Sequence, residues 1–374
     1  MAVTFTQTPQ DWSPSDNPLR FTFSSAATLN ANFSFIVQTY LDGVQIAEDR
    51  VFVERSGRAH YDASTVVKNL IQTPARSTSL YGEGGYSNEV YVKVIENYGT
   101  PAIDHLNATS STINVYKACF SDKAWTLYDN TDWVELKFLT NYPRTERMYQ
   151  LYAQDFYLNI ITDSNVNSDL YINIYNSAGG LVDSLTSAMP TYLITQLNLN
   201  TDLLTGIGLT LTGASYYTVQ VEGSEILTVE FITEYCNNPN TLQWLNEFGA
   251  YDSFVFLHNL EKSGDVKEST YGKQFGEWIG TSFDYNLKDV GTIRVGTKQK
   301  DKGVIYTDWI SQAIQNWLVE LYKSPRYYLI DVTGYVDYIN VTSNSLTFKQ
   351  QRFEDLINES VAFDYINEHN GISL

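Results

Sequence analysis

Cysteine is scarce in this chain of 374 residues, which contains 2 Cys and only 3 Met. Cys119 and Cys236 cannot form a disulfide framework, so we expect free thiols and folding in a reducing cytoplasm. The N-terminal residues lack the basic and apolar regions of a secretory signal. No window approaches about 18 consecutive apolar residues, so the sequence predicts no membrane-spanning segment.

Basic residues are also scarce, with 24 Lys and Arg against 43 Asp and Glu and a net charge of −19. Gripping the phosphates of a nucleic acid needs clustered Lys and Arg, so the balance argues against specific nucleic-acid binding. The one basic cluster contains Lys298, Lys300 and Lys302 and is interrupted by Asp301. It is interpreted as a solvated hairpin or loop tip and not as a phosphate site.

The sequence lacks the residue patterns that are typical of catalytic, metal-binding or cofactor-binding sites. None of the four histidines has a partner at metal-ligand spacing. Residues 163–169 are spaced like the start of a calcium loop, but Ser168 replaces its glycine and Ile174 its final glutamate, which favours a polar turn. No nucleophile elbow, Walker loop or dinucleotide fingerprint occurs. The sequence therefore predicts no catalytic residue, metal site or cofactor, and a protein that is not an enzyme.

Two chemical alternatives stay open at this point. Paired carboxylates could act as in a glycosidase, but the sequence does not select a pair. Stacking aromatic residues could bind carbohydrate, although the seven Trp are interpreted as core residues. Trp309 and Trp317 are placed on the apolar face of a predicted helix, and Trp244 lies at the junction of two sequence patterns.

Aromatic residues are abundant, with 28 Tyr and 18 Phe. Together with Thr, Val and Ile they indicate β-sheet, with polar turns between short strands. Apolar residues alternate at 33–40 before an Asp42-Gly43 hairpin signal, and similar alternation continues beyond residue 126. A short helix is predicted at 62–71, capped by Asp62.

The last third of the chain changes character. Residues 242–248 are compatible with a helix that breaks at Gly249 and leads into an aromatic strand. Residues 308–322 place apolar side chains at helical spacing, and strands are predicted after them. The fold class predicted is mainly β, with two β-sandwich-like domains followed by a smaller α+β domain, at 1–125, 126–236 and 237–374.

Several short segments resemble virion proteins of tailed phages that infect Bacteroidetes, particularly the tail and ring proteins of crAss-like phages. The segments are Thr8-Pro-Gln-Asp-Trp12, Ser15-Asp-Asn-Pro-Leu-Arg-Phe21, His60-Tyr-Asp62, Trp244-Leu-Asn-x-x-Gly249-x-Tyr-Asp-Ser-Phe254-x-Phe256, Leu321-Tyr-Lys-Ser-Pro325 and Glu354-Asp-Leu-Ile-Asn358. The resemblance implies a structural subunit of an oligomeric ring or collar in the portal–tail assembly. It implies synthesis in the host bacterial cytoplasm and a final place in the virion, at the tail or portal vertex.

The partners expected are copies of the chain in a ring and other phage tail, portal or capsid proteins, with no membrane. Loops at 80–87 and 298–303 are predicted to reach neighbouring subunits, because tyrosine gives contact area and lysine can pair with acidic patches. The candidate interface residues are Tyr81, Tyr86, Lys298, Lys300 and Lys302. The competing hypothesis is a tail-associated receptor- or glycan-binding module.

Overall fold

A computed structural model of the chain describes residues 3–73, 75–83, 87–121, 137–161, 168–190, 194–222, 225–233, 238–258, 260–272, 276–284, 292–342 and 356–370. The chain forms two compact units: residues 1–233 with 245–253, and residues 234–244 with 254–374. None of the helices in the described residues has the length and apolar character needed to cross a membrane.

Strands dominate both units. In chain order the elements up to residue 233 are β1 (Thr4–Gln7), β2 (Ser13–Pro14), β3 (Arg20–Ser24), a 3-10 helix (Ala26–Leu29), β4 (Ser34–Leu41), β5 (Val44–Val51), β6 (Arg58–Asp62), α1 (Ser64–Val67), β7 (Tyr81–Glu83), β8 (Ser87–Gly99), β9 (Ala102–Thr109), β10 (Ile113–Tyr116), β11 (Lys137–Phe138), β12 (Met148–Leu151), β13 (Tyr157–Ile161), β14 (Asp169–Tyr175), β15 (Leu181–Ala188), β16 (Ile194–Asn198), α2 (Thr201–Gly206), β17 (Tyr216–Val221) and β18 (Leu227–Ile232). The remaining elements are β19 (Asn240–Leu245), β20 (Tyr251–Phe256), β21 (Glu261–Gly272), β22 (Glu277–Ile279), β23 (Ser282–Asp284), β24 (Thr292–Tyr306), β25 (Ile310–Ser311), α3 (Gln312–Lys323), β26 (Tyr327–Ile330), β27 (Val336–Val341), β28 (Leu356–Ile357) and β29 (Ser360–Asn370).

The first β sandwich packs a three-stranded sheet, β1-β3-β6, against the sheet β2-β10-β8-β4-β5, with β9 paired to β8. Alternate residues of each sheet point into one core, where Phe23 and Phe35 meet edge to face with centroids 4.9 Å apart. The predicted hairpin turn is confirmed: Asp42 and Gly43 join β4 to β5 with positive φ angles of 49° and 79°.

The second β sandwich consists of the sheets β11-β13-β16-β7 and β12-β18-β17-β14-β15. Strands β14 and β17 bury every second residue, as a sheet with one solvated face does. Gln150 lies buried in β12, donates to the Leu199 carbonyl at 2.9 Å and accepts from the Tyr217 hydroxyl at 2.7 Å. Because a buried amide is costly unless it is bonded, these contacts stabilise this core.

The second unit is α+β. Its main sheet has the order β20-β19-β26-β27-β29-β24-β21, and its long helix is α3. The predicted helix at 308–322 begins four residues late, because Ile310 and Ser311 pair with β28 as strand β25. Ser311 then caps α3 by accepting a hydrogen bond from the Ile314 amide at 3.3 Å. The mainly β fold class, with a smaller α+β part at the C-terminal end, is confirmed.

The helix predicted at 242–248 is wrong. Residues 240–245 form strand β19, which is buried throughout and pairs with β26. A short apolar run fits a buried strand as well as a helix, and pairing with a distant strand decides between them. The break predicted at Gly249 is confirmed, since this residue has a φ of 73° in a turn held by the Asn246 side chain.

The short helix predicted at 62–71 is only Ser64–Val67, and its N-cap residue is Ala63, so the predicted cap at Asp62 is wrong. The Asp62 carboxylate, one residue earlier, accepts a hydrogen bond from the Ser64 amide at 3.0 Å. Both predicted domain boundaries, after residues 125 and 236, lie outside the described residues, so the three-domain division stays a prediction. Also outside them lie Cys236 and residues 163–167 of the predicted polar turn.

Candidate interaction surface

A large exposed surface of the second unit is a long antiparallel hairpin, called here the arm, made of β21 and β24. All twelve residues of β21 are exposed, including Val266 at 54% and Tyr271 at 62%. Among the described strands β21 pairs only with β24, so its outer backbone edge has no neighbour there. An edge strand of this length is a template for pairing with another chain.

The arm extends beyond the sheet that supports it. Strand β24 pairs with β29 from Lys298 to Tyr306, and its outer part, residues 292–297, pairs within the described residues only with β21. A two-stranded ladder by itself is marginally stable in water, so covering this outer part would stabilise it.

The lysine cluster predicted at a loop or hairpin tip lies instead within strand β24. The alternation of Lys298, Lys300 and Lys302 with Gln299 and Asp301 has the period of two that a strand requires, and ladders form on both sides. The prediction of a loop at 298–303 was therefore wrong. The same alternation directs all three lysines to one face of the arm.

Ion pairs organise part of that face. The ammonium of Lys300 lies 2.7 Å from Asp364, and that of Lys302 lies 2.6 Å from Asp265. The hydrogen bond from Lys302 lowers the pKa of Asp265 below its ordinary value. Lys298 lies across the ladder from another lysine, Lys267.

The two tyrosines among the candidate interface residues, Tyr81 and Tyr86, lie far from the arm in sequence. The predicted loop at 80–87 is partly strand, because Tyr81 begins β7 and pairs with Leu197 of β16. Burial raises the pKa of its phenol above the ordinary value. Tyr81 lines a cleft of about 420 Å³ with Leu80, Leu185 and Ile207. Tyr86 lies outside the described residues.

The cleft lies beside a second open edge. Strand β15 is the last strand of its sheet and, among the described strands, pairs only with β14. Leu181 at its start is 59% exposed. Asp183 accepts hydrogen bonds from the backbone amides of Ser184 and Thr210, which lower its pKa. Sequence reasoning missed both exposed edges, because the apolar alternation that identifies a strand gives no information about its neighbours.

Two tryptophans interpreted as core residues are exposed. Trp309 is 64% exposed and precedes α3, and Trp278 is 70% exposed on the small β22–β23 hairpin. Trp244 and Trp317 are buried as predicted, with ring centroids 4.8 Å apart. The late start of α3 explains Trp309, which the helical pattern had placed on the apolar face.

Three of the four histidines have described side-chain surroundings. His60 is 3.8 Å from Glu54, His105 stacks on Tyr98 with centroids 3.6 Å apart, and His258 is 4.0 Å from Asp308. Within the described ranges no group of three His, Cys, Asp or Glu side chains could hold a metal ion.

Ionisation of buried tyrosines is expected to destabilise the folded protein at high pH. Burial raises the pKa of Tyr61 and of Tyr327 to about 12, against about 10 for a phenol in the unfolded chain. Their contribution to stability is complete below pH 10 and is lost as the pH rises from 10 towards 12. We expect unfolding in this window, with phenolate absorbance at 295 nm rising together with loss of circular dichroism.

A matched variant checks the cause. Tyr327→Phe removes one such phenol, so its stability should fall less steeply between pH 10 and 12 than that of the wild type. Complete ionisation of all tyrosines near pH 10 with an unchanged circular dichroism spectrum would contradict the expectation.

No protein-family model and no curated protein matches the chain. Among solved structures, a chimeric titin Z1Z2 functionalized with an exogenous decorin peptide is 15% identical, covers 62% of this chain and 96% of its own, and has a TM-score of 0.18. A tandem of titin Ig domains is 10% identical with coverages of 62% and 97% and a TM-score of 0.23. A tetra-tandem repeat from the extending region of a large adhesion protein is 8% identical with coverages of 100% and 90% and a TM-score of 0.22.

The fold defines the class of this chain as a mainly β protein of sandwich-like domains with a smaller α+β part. Because the identities and TM-scores of the similar structures are so low, its function is inferred from its own residues.

Proposed function

We propose that this chain is a non-enzymatic structural subunit of a phage virion that forms an oligomeric ring or collar in the portal–tail assembly. The arm is the observation that carries the assembly role. The phage setting is supported by the sequence resemblance at segments such as His60-Tyr-Asp62 and Leu321-Tyr-Lys-Ser-Pro325. In this role the protein acts through shape and binds neighbouring copies and other tail, portal or capsid proteins.

The physical reason is the exposure of β21. A monomer that leaves a twelve-residue edge strand exposed along its whole length risks uncontrolled pairing, and natural proteins avoid such edges. A partner that covers the strand removes the risk and adds main-chain hydrogen bonds. When the covering surface is a different patch of the next copy, the contact is head-to-tail and can close into a ring.

A second candidate function is a tail-associated receptor- or glycan-binding module. It is favoured by the exposed Trp278, whose ring lies 5.3 Å from that of Phe283 on the β22–β23 hairpin. An exposed indole next to a second aromatic ring can stack on a sugar. The arm carries more exposed backbone and more charge, so assembly is the better-supported function.

Native mass spectrometry and negative-stain electron microscopy of the purified full chain test the proposal. We expect a closed ring of one copy number, and peptides of the chain in purified virions. Absence from virions would contradict the proposal. A monomer with clear hits on a glycan array would favour the second function, and Trp278→Ala should then abolish those hits.

A further inference from the structure

Strand β21 is the last strand of the main sheet of the second unit, and its charged residues alternate in sign. Among the described strands it pairs only with β24, so its outer backbone edge has no strand beside it there. Its charged residues, in chain order, are Glu261, Lys262, Asp265, Lys267 and Glu268. An edge that carries both signs in a fixed order can be complementary to a second copy of itself in one particular register.

Symmetry limits the registers that two antiparallel copies of one strand can adopt. The two-fold axis of such a pair runs perpendicular to the sheet and passes beside one residue, which faces its own copy. Residues at equal distances on either side of this central residue face each other. They lie on the same face of the sheet, because side chains alternate with a period of two. The central residue therefore determines every pair in the contact.

Charge distinguishes the two longest of these registers. Centres at Val266 and at Lys267 each pair eleven of the twelve residues of β21. A centre at Lys267 places two ammonium groups directly opposite each other, and like charges in this position destabilise a ladder. A centre at Val266 makes Asp265 of each copy face Lys267 of the other, so two pairs of opposite charge flank the axis. The register centred on Val266 is therefore favoured.

The other pairs of this register are compatible with it. On the face that carries Asp265, Ser263 lies opposite Ser269 of the second copy. Glu261 lies opposite Tyr271, whose hydroxyl can donate to the carboxylate. On the other face Val266, which is 54% exposed, meets its own copy, and this contact buries apolar surface.

Asp265 can bind two ammonium groups at once. Within its own copy its carboxylate lies 2.6 Å from the ammonium of Lys302, and its side chain is still 63% exposed. A carboxylate accepts through about four lone-pair sites on its two oxygens. The ion pair inside the arm therefore leaves acceptor sites for Lys267 of the second copy.

We propose that two copies of this chain pair through β21, with the strands antiparallel and the two-fold axis at Val266. The two edges then exchange about ten main-chain hydrogen bonds, and the two main sheets become continuous. The contact also supports the outer part of the arm, residues 292–297, which pairs within the described residues only with β21. There it adds strands to a two-stranded ladder that is marginally stable by itself.

This inference goes beyond the proposed function and does not depend on the phage setting. A two-fold contact uses the same surface on both copies, so it joins two copies and no more. Any closed ring in which every arm is paired therefore contains an even number of copies. Such a ring also requires a second contact elsewhere on the chain.

Single cysteines locate the axis. In Val266→Cys the two copies of residue 266 face each other with Cα atoms about 4.5–5.5 Å apart, which suits a disulfide. Mild oxidation of the full chain should give a covalent dimer in which peptide mapping finds residue 266 joined to itself. Ser263→Cys is the matched control on the same exposed strand. Its two copies lie about 20 Å apart in this register and should not be joined. Equal linking of both variants, or none at residue 266, would overturn the contact.

Charge reversal tests the register in a second way. Lys267→Glu and Asp265→Lys each place like charges opposite each other on both sides of the axis. Each alone should raise the dissociation constant of the pair at least about tenfold, measured by analytical ultracentrifugation. An equimolar mixture should pair again as heterodimers, because every charge pair across the mixed contact is then opposite in sign.

Lys298→Glu is the matched control for charge. Lys298 lies across the arm from Lys267, so both glutamate variants make this pair opposite in sign within one copy. Only Lys267→Glu changes the residue that faces Asp265 of the second copy. The Lys298→Glu variant should therefore pair like the wild type.

The outcomes separate this contact from the proposed function. Equal dissociation constants for the two glutamate variants, or no recovery in the mixture, would overturn the contact. A wild-type chain that is monomeric at about 100 μM would also overturn it, since association follows concentration by mass action. A ring with an odd number of copies would overturn the contact and still support the proposed function. Absence from virions would count against the proposed function alone.

Discussion

Replacing Gly249 with alanine is expected to destabilise the first unit by about 4 kcal/mol or more. Two costs combine at this position. The backbone has a φ of 73°, where a side chain costs about 1–2 kcal/mol. In addition, a Cβ atom would lie 1.6 Å from the carbonyl oxygen of Lys117, so one backbone segment must move. Backbone strain and overpacking of this kind are among the few causes of very large single-residue effects.

Urea unfolding measures the loss of stability. The variant Gly57→Ala separates the cost of the positive φ angle from the cost of the steric overlap with Lys117. Gly57 has a φ of 75°, but nothing lies within 4 Å of its added Cβ, so this variant should lose only about 1–2 kcal/mol. Equal losses for the two variants would mean that the close approach to Lys117 is relieved without cost, contrary to our expectation.

Replacing Trp317 with alanine is expected to cost the second unit about 3–5 kcal/mol. Trp317 is 3% exposed and packs between Trp244, at 4.8 Å, and Phe254, at 6.2 Å between ring centroids. Removal of the indole leaves a cavity that these rigid aromatic neighbours cannot fill. The expected result is an earlier unfolding transition of the second unit, measured by circular dichroism and tryptophan fluorescence.

Trp309→Ala is the matched control, since both tryptophans belong to the same predicted apolar face in the sequence. Trp309 is 64% exposed, so its loss should change the free energy of unfolding by less than about 0.5 kcal/mol. A large effect at Trp309 with none at Trp317 would contradict the packing of α3 against the aromatic cluster.

Local patterns in the sequence predicted much of the secondary structure. The Asp42-Gly43 turn was predictable because a tight hairpin needs positive φ angles that few residues adopt. The helix around Trp317 was predictable from its period, but its first turn was not. Residues Ile310 and Ser311 join a strand pair with Leu356 and Ile357, more than forty positions away in sequence. Periodicity contains no information about such a distant partner.

The candidate surface was only partly predictable. The lysines at 298, 300 and 302 were identified by their charge, but their spacing was attributed to a loop because charged residues usually favour solvent. Strand β21 was missed, since its exposed residues show no apolar alternation. Its existence depends on the twelve-residue ladder with β24, a non-local contact.

The sequence by itself determined the β-rich composition, the scarcity of basic residues and their concentration near the C-terminal third, because these depend on residue identity alone. Only the tertiary structure decided that the lysines lie on a strand, that Trp309 is exposed, and that β15 and β21 are open edges among the described strands. Pairing between strands distant in sequence fixes which backbone groups are satisfied and which are left to bind another chain.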